Sequence, residues 1–239
     1  MEQQNPTFLT AQWRKLVMAN YAVDPKILKP YLPAGVELDI YEGECLVSLV
    51  GFLFDEVRVK GFKIPFHTRF PEINLRFYVK QKTNEGWRRG VVFVKELVPR
   101  SAIAWVARLF YGEPYVAVPM QYSWQHNENG LEVSYSWHVQ HWMHMSVQAE
   151  AKPDILKENS LEEFITEHYW GYTNRRNGKT QAYEVQHPRW EVYKVKQFSI
   201  EADMGLLYGK DFAGIDASQP HSVLMAEGSE VSVREGGVV

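Results

Sequence analysis

Between Phe70 and Val79 the chain reads F-P-E-I-N-L-R-F-Y-V, and the two-residue period of a β-strand divides it into two rows. One face carries Glu72, Asn74, Arg76 and Tyr78, and the other carries Ile73, Leu75, Phe77 and Val79. An ordinary half-exposed strand scatters Lys, Thr and Ser on its polar side. Here an acid, an amide, a guanidinium and a phenol form a ladder that can hydrogen-bond itself or a ligand. The alternation argues for a strand but leaves open whether its polar face meets solvent, where each pair contributes a few tenths of a kcal/mol, or a pocket.

The surrounding chain favours β structure and short helices. Asp24 before Pro25 is a helix start, and Pro30 with Pro33 and Gly35 stops that helix within about two turns. Strands are expected over 36–40 and 44–54 about Glu42-Gly43, the second buried on both faces, followed by a loop over 58–65 that pivots at Gly61. After residue 79 a turn at Asn84-Glu85-Gly86 leads to a strand over 90–97, making a hairpin that brings Lys95 opposite or near the ladder.

Ser101 is positioned to cap an apolar helix over 102–110 whose single charge, Arg108, needs a partner if buried. Further strands are expected over 116–124, 131–148, 189–201 and 231–233, with a turn at 127–130. Ser160 and Glu163 form a capping box that starts a helix ending by Gly171. The sum is a mainly β chain with a few short helices, hence a barrel or sandwich.

At 239 residues the chain suits one large core, so a single domain over 1–239 is expected. Its 8 Trp, 13 Tyr and 12 Phe supply both core and pocket walls. A net charge of -3 gives no footprint for nucleic acid or an anionic membrane. The lone Cys45 sits in an apolar run, which excludes an internal disulfide and suits an inert buried thiol in a reducing cytoplasm. That run is also too short to span a bilayer, and the first residues carry no signal-peptide core, so the expected localisation is cytoplasmic. A homo-oligomer is compatible with all of this.

No cofactor or metal is expected. His138, His141 and His144 would share a face on a helix, but the alternation places them on a strand, with His138 and His144 about 20 Å apart. There is no nucleophile elbow and no phosphate-binding glycine loop. The constellation with chemical content is the ladder together with Arg108: two guanidiniums, a carboxylate and phenols in one cavity would recognise a small anion.

Four motifs then appear in order: F-x-E-x-N-L-R-x-Y-V from Phe70, A-R-x-x-Y-G-x-P-Y-x-x-V-x-M from Ala107, S-L-E-x-F-x-T-E-x-Y-x-x-Y from Ser160, and H-x-x-W at His187 and Trp190. Together, from about Trp13 to Val233, the chain resembles the uncharacterised bacterial family of YqjF type, DUF2071. That family is grouped by fold with acetoacetate decarboxylase, which implies a cone-like antiparallel β-barrel around a small-molecule cavity.

The decarboxylase carries Arg, Gly, an aromatic, Pro and then a Schiff-base Lys. Arg108, Gly112 and Pro114 match that pattern, but Tyr115 stands in place of the lysine, and a phenol forms no imine. Glu72 matches an active-site Glu. The resemblance thus implies a small anionic, oxo-acid-like ligand, with Glu72 and Tyr115 as candidate catalytic groups and Asn74, Arg76, Tyr78, Arg108 and His187 as candidate substrate-binding groups. The other reading is a non-catalytic ligand-binding or scaffold protein in which the same residues form a closed network.

Overall fold

The computed structural model describes residues 6–101, 114–175 and 178–239. The expected helix over 102–110, and Arg108 with it, lies outside the described residues. The strands are β1 (Thr7–Ala22), β2 (Glu37–Leu38), β3 (Leu46–Val59), β4 (Phe70–Thr83), β5 (Gly86–Val98), β6 (Tyr115–Ala117), β7 (Met120–Asn127), β8 (Gly130–His138), β9 (Trp142–Ala149), β10 (Trp170–Asn174), β11 (Thr180–Gln186), β12 (Val192–Tyr193), β13 (Val195–Glu201) and β14 (Ser222–Val238). Two short α-helices, α1 (Leu161–Thr166) and α2 (Met204–Tyr208), accompany them. A 3-10 turn at Pro25–Tyr31 is capped by Asp24, whose side chain accepts from the Lys26 amide. No helix among the described residues is long and apolar enough to cross a membrane.

The order β4-β3-β1-β14-β11-β10-β5 closes on itself because β5 also pairs with β4, giving a seven-strand barrel among the described residues. A second, four-stranded antiparallel sheet runs β13-β9-β8-β7. β4 lies between two cores, as its sequence requires. Ile73, Leu75, Phe77 and Val79 pack in one cluster with Tyr135, Trp137 and Met145 of the second sheet. The other face of β4 points into the barrel.

The barrel closes at a parallel seam of two rungs, Gly90 with Trp170 and Val91 with Gly171. A Cβ on Gly90 would lie 2.4 Å from the Trp170 carbonyl oxygen, so no larger residue fits without separating the strands. Gly90→Ala is therefore expected to lower unfolding stability by about 2–3 kcal/mol. Urea denaturation checks this, and an unchanged midpoint would show that the seam tolerates a gap.

Several expectations need correction. The strand expected over 131–148 is two strands, β8 and β9, joined at Val139, Gln140 and His141, with Gln140 in the left-handed region at φ 70°. A three-residue connection keeps Trp137 opposite Met143 with both buried, so the alternation runs through the turn unbroken in sequence. His138 and His144 are consequently folded back on each other, opposite Trp142 and Ser136, rather than far apart along one strand. No group of three His, Cys, Asp or Glu residues among the described residues is placed to hold a metal.

The strand expected over 116–124 divides at Pro119 into β6 and β7, and that over 189–201 into β12 and β13. The segment 231–233 is the middle of the long β14, and the capping-box helix ends at Thr166, before Gly171. Cys45 is buried, and burial pushes its thiol up to about 11, as an inert thiol requires.

Candidate functional site

Every strand of the barrel contributes to one cavity of about 100 Å³. Its apolar wall includes Trp13, Phe52, Phe54 and Phe93, and its polar lining includes Glu72, Asn74, Arg76, Glu96, Tyr115 and His168. The space is well below the roughly 300–1,000 Å³ of drug-sized pockets. An apolar cavity of about 150 Å³ accommodates benzene, so the occupant here would be at most a few carbons long.

β4 sets Glu72, Asn74 and Arg76 in the lumen at alternate positions, about 7 Å apart. Glu72 is 2% exposed. Its Oε1 accepts from Asn74 Nδ2 at 3.0 Å and its Oε2 from the Tyr115 hydroxyl at 3.1 Å. Burial drives its carboxyl up to about 7, against the opposing pull of Asn74, Tyr115 and the Arg76 charge. Tyr115 is held well above the ordinary phenol range, first by burial and then by the nearby Glu72 and Glu96 carboxylates, so it keeps its proton. This pair can hold and move one proton near neutrality, the property a general acid or base needs.

Arg76 is 8% exposed. Its Nη2 donates to the Ile165 carbonyl at 3.2 Å and touches Met18 Sδ, and its guanidinium lies 5.7 Å from the Tyr78 ring centroid. Among the described residues no carboxylate pairs with it, and its buried Nε has no hydrogen-bond partner. A buried guanidinium in this state keeps hydrogen-bonding capacity that an anion could use.

Tyr78 lies beyond the lining. Its hydroxyl donates to Ser48 Oγ at 2.5 Å, and Ser48 in turn donates to Asn20, so the phenol supports Arg76 from behind. His187 does line the cavity, stacked 4.1 Å from Trp190 and donating from Nδ1 to the Pro188 carbonyl. Burial pushes its imidazole down to about 4. Trp190 is fixed by its own donation to Ser229 Oγ, so the H-x-x-W motif forms a wall of the lumen.

Lys95 is turned out of the cavity. β4 and β5 pair Asn74 with Glu96 and Leu75 with Lys95, then slip to pair Arg76 with Phe93. This bulge exchanges faces: Val91 and Phe93 point inward, and beyond it Glu96 does, while Val94 packs in the outer core and Lys95 bonds the Leu207 carbonyl. The described lining contains no lysine.

Sequence reasoning missed Glu96, Thr166 and His168. His168 follows α1, is 7% exposed, and donates from Nε2 to Asp39 Oδ2 at 3.2 Å. Asp39 also accepts from Arg89 Nε at 2.6 Å. Although burial raises it, these two bonds hold its carboxyl at about 2. Burial pushes His168 down to about 4, leaving it neutral. The signal available in sequence was the T-E-x-Y end of the third motif, which contains His168.

Solved structures share this architecture. The enduracididine biosynthesis enzyme MppR, complexed with pyruvate, aligns with a TM-score of 0.67 at 13% identity over 100% of this chain and 91% of its own. Acetoacetate decarboxylase from Legionella pneumophila aligns with a TM-score of 0.66 at 13% identity over 99% and 89%. An acetoacetate decarboxylase-like enzyme from Sphingomonas wittichii RW1 gives 0.63 at 11% over 98% and 93%. At these identities the likeness is one of fold. In sequence, the uncharacterized protein YqjF of Bacillus subtilis (strain 168) is 28% identical over 183 residues, 74% of this chain and 72% of its own. With residues 10–230 matching DUF2071, an uncharacterized conserved protein family, and an acetoacetate decarboxylase-like barrel around them, the chain belongs to the DUF2071 family.

Proposed function

We propose that the barrel lumen binds a small carboxylate of oxo-acid type and does so without Schiff-base chemistry. The observation that carries this is Arg76: a guanidinium buried in a cavity, bonded to one carbonyl and one sulfur, with no carboxylate within ion-pair distance among the described residues, although the Glu72 charge is felt across the lumen. A bound carboxylate would supply the missing charge in a forked hydrogen bond. Glu72 and Tyr115 would then exchange or donate a proton next to the bound group, with Asn74 and His187 as walls. Arg108, by resemblance, would be a second guanidinium. That MppR, of the same fold, has been captured with pyruvate supports the size and class of ligand. Tyr115 at the lysine position and the outward turn of Lys95 support the absence of imine formation.

One observation favours the scaffold reading instead. Both Glu72 oxygens are already bonded within the protein, as a closed network would have them. A pyruvate titration followed by thermal unfolding separates the two. At about 100 times its Kd a ligand adds about 2.7 kcal/mol, which for a chain of this size raises Tm by about 5–10 °C. That rise is expected in the parent and not in Arg76→Ala. Borohydride added to the pyruvate complex should leave the intact mass unchanged, and a trapped adduct would refute the non-covalent mode.

A further inference from the structure

Trp13 Nε1, Asn74 Oδ1, Arg76 Nε and His168 Nδ1 are buried, belong to side chains that line the lumen, and have no hydrogen-bond partner among the described residues. Native interiors satisfy some nine-tenths of such groups or more, so a cluster of exceptions around one cavity points to a partner outside the chain. The four differ in sense. The indole and guanidinium nitrogens only donate.

Asn74 already spends its amide nitrogen on Glu72, which leaves its oxygen as an acceptor. His168 is fixed in the same sense. The Asp39 carboxylate, itself anchored by Arg89, can only accept, so the ring proton sits on Nε2 and Nδ1 presents a lone pair. Depression of the imidazole by burial keeps that ring neutral.

We propose that the lumen reads a small hydroxy acid: Arg76 and Trp13 donate to its carboxylate, and Asn74 Oδ1 or His168 Nδ1 accepts from its hydroxyl. This rests on the acid-binding reading above, keeps its carboxylate, and replaces the oxo group of its ligand by a hydroxyl. A plain carboxylic acid leaves both acceptors unmet, and a keto group brings only another acceptor to face them. A hydroxyl supplies the donor that both lack. Buried sites built to bond a hydroxyl reject analogues without one far more strongly than apolar pockets separate ligands by size. Asp39 and Arg89 are positioning residues here, since they fix the tautomer without reaching the ligand.

The test is a calorimetric titration of the full chain with propionate, pyruvate and L- and D-lactate, acids of one chain length that differ only at the second carbon. One lactate enantiomer should bind at least tenfold more tightly than both propionate and pyruvate. That preference should collapse in Asn74→Leu or in His168→Phe. If all the acids bind equally and lose affinity together in Arg76→Ala, the acid site stands and the hydroxyl inference falls. If none binds, both fall. A lactate preference that survives in both Asn74→Leu and His168→Phe also overturns the assignment. Should either variant fail to fold, as circular dichroism would reveal, the ranking of the acids on the parent protein decides alone.

Discussion

Glu72→Gln is expected to make the free protein more stable by on the order of 3 kcal/mol at pH 8, with the gain gone by pH 4. Burial sets the Glu72 pKa at about 7 in the folded state, against about 4.3 in an unfolded chain. Between these values the native protein holds a proton that the unfolded chain has released, so stability falls as pH rises through that window. Below it both states are protonated and the residue contributes no difference. Above it both are ionised and the full penalty of burying the charge is present.

Glutamine has no charge to bury at any pH. Its amide carbonyl can still accept from Asn74, and Tyr115 also has Glu96 within hydrogen-bonding reach. Urea unfolding of parent and variant at unit steps from pH 4 to 8 reads the effect directly. A difference independent of pH would show that Glu72 is ionised throughout, and its role as a proton-transfer group near neutrality would go with it.

How much of this could be read in the chain depends on where the strands keep their phase. β4 keeps it from Phe70 to Val79, and Glu72, Asn74 and Arg76 were legible as one face because nothing interrupts the alternation. β5 does not: the bulge between Phe93 and Lys95 swaps faces, so strict alternation brings Lys95 toward the ladder and hides Glu96, the reverse of the structure. β1 fails in the same way. Leu9 and Trp13 face the lumen before a bulge at Lys15, which adopts φ 55°, and Leu16 does so after it. Period-two reading therefore sees no strand in the first 22 residues.

Such bulges bend strands round a closed barrel, and their positions depend on neighbours distant in sequence. The Asp39–His168 pair was illegible for a related reason. Its members are 129 positions apart and meet only where α1 seats against the barrel. By contrast the capping box at Ser160, a local device, was readable from four residues.

Arg76→Met is expected to separate stability from binding most sharply, because the two readings of the lumen give it opposite signs. In the free protein Arg76 is a charge withdrawn from water with no ion-pair partner among the described residues. Withdrawing one ion from water costs several kcal/mol even after relaxation, a cost that an apolar side chain of similar volume does not carry. Against this stands the Ile165 carbonyl, which loses its donor, a loss of about 1–3 kcal/mol if it is left unbonded. The net should be a gain of about 1 kcal/mol in the absence of ligand. Removal of the cation also lifts an influence that lowers the Glu72 pKa, which widens the gap to the unfolded value and opposes the gain as pH rises, so the gain should be clearest near pH 4, where Glu72 is protonated in the folded state.

The same variant should lose the thermal shift on addition of small acids, with affinity reduced at least a hundredfold, or about 2.7 kcal/mol. A receptor that keeps its binding group at the expense of stability behaves this way. A closed structural network does not: there Arg76 would be holding α1 to the barrel through Ile165, and Arg76→Met would destabilise the protein by about 3 kcal/mol or more. Chemical denaturation of the two proteins without ligand, followed by acid titration of both, distinguishes these outcomes by sign.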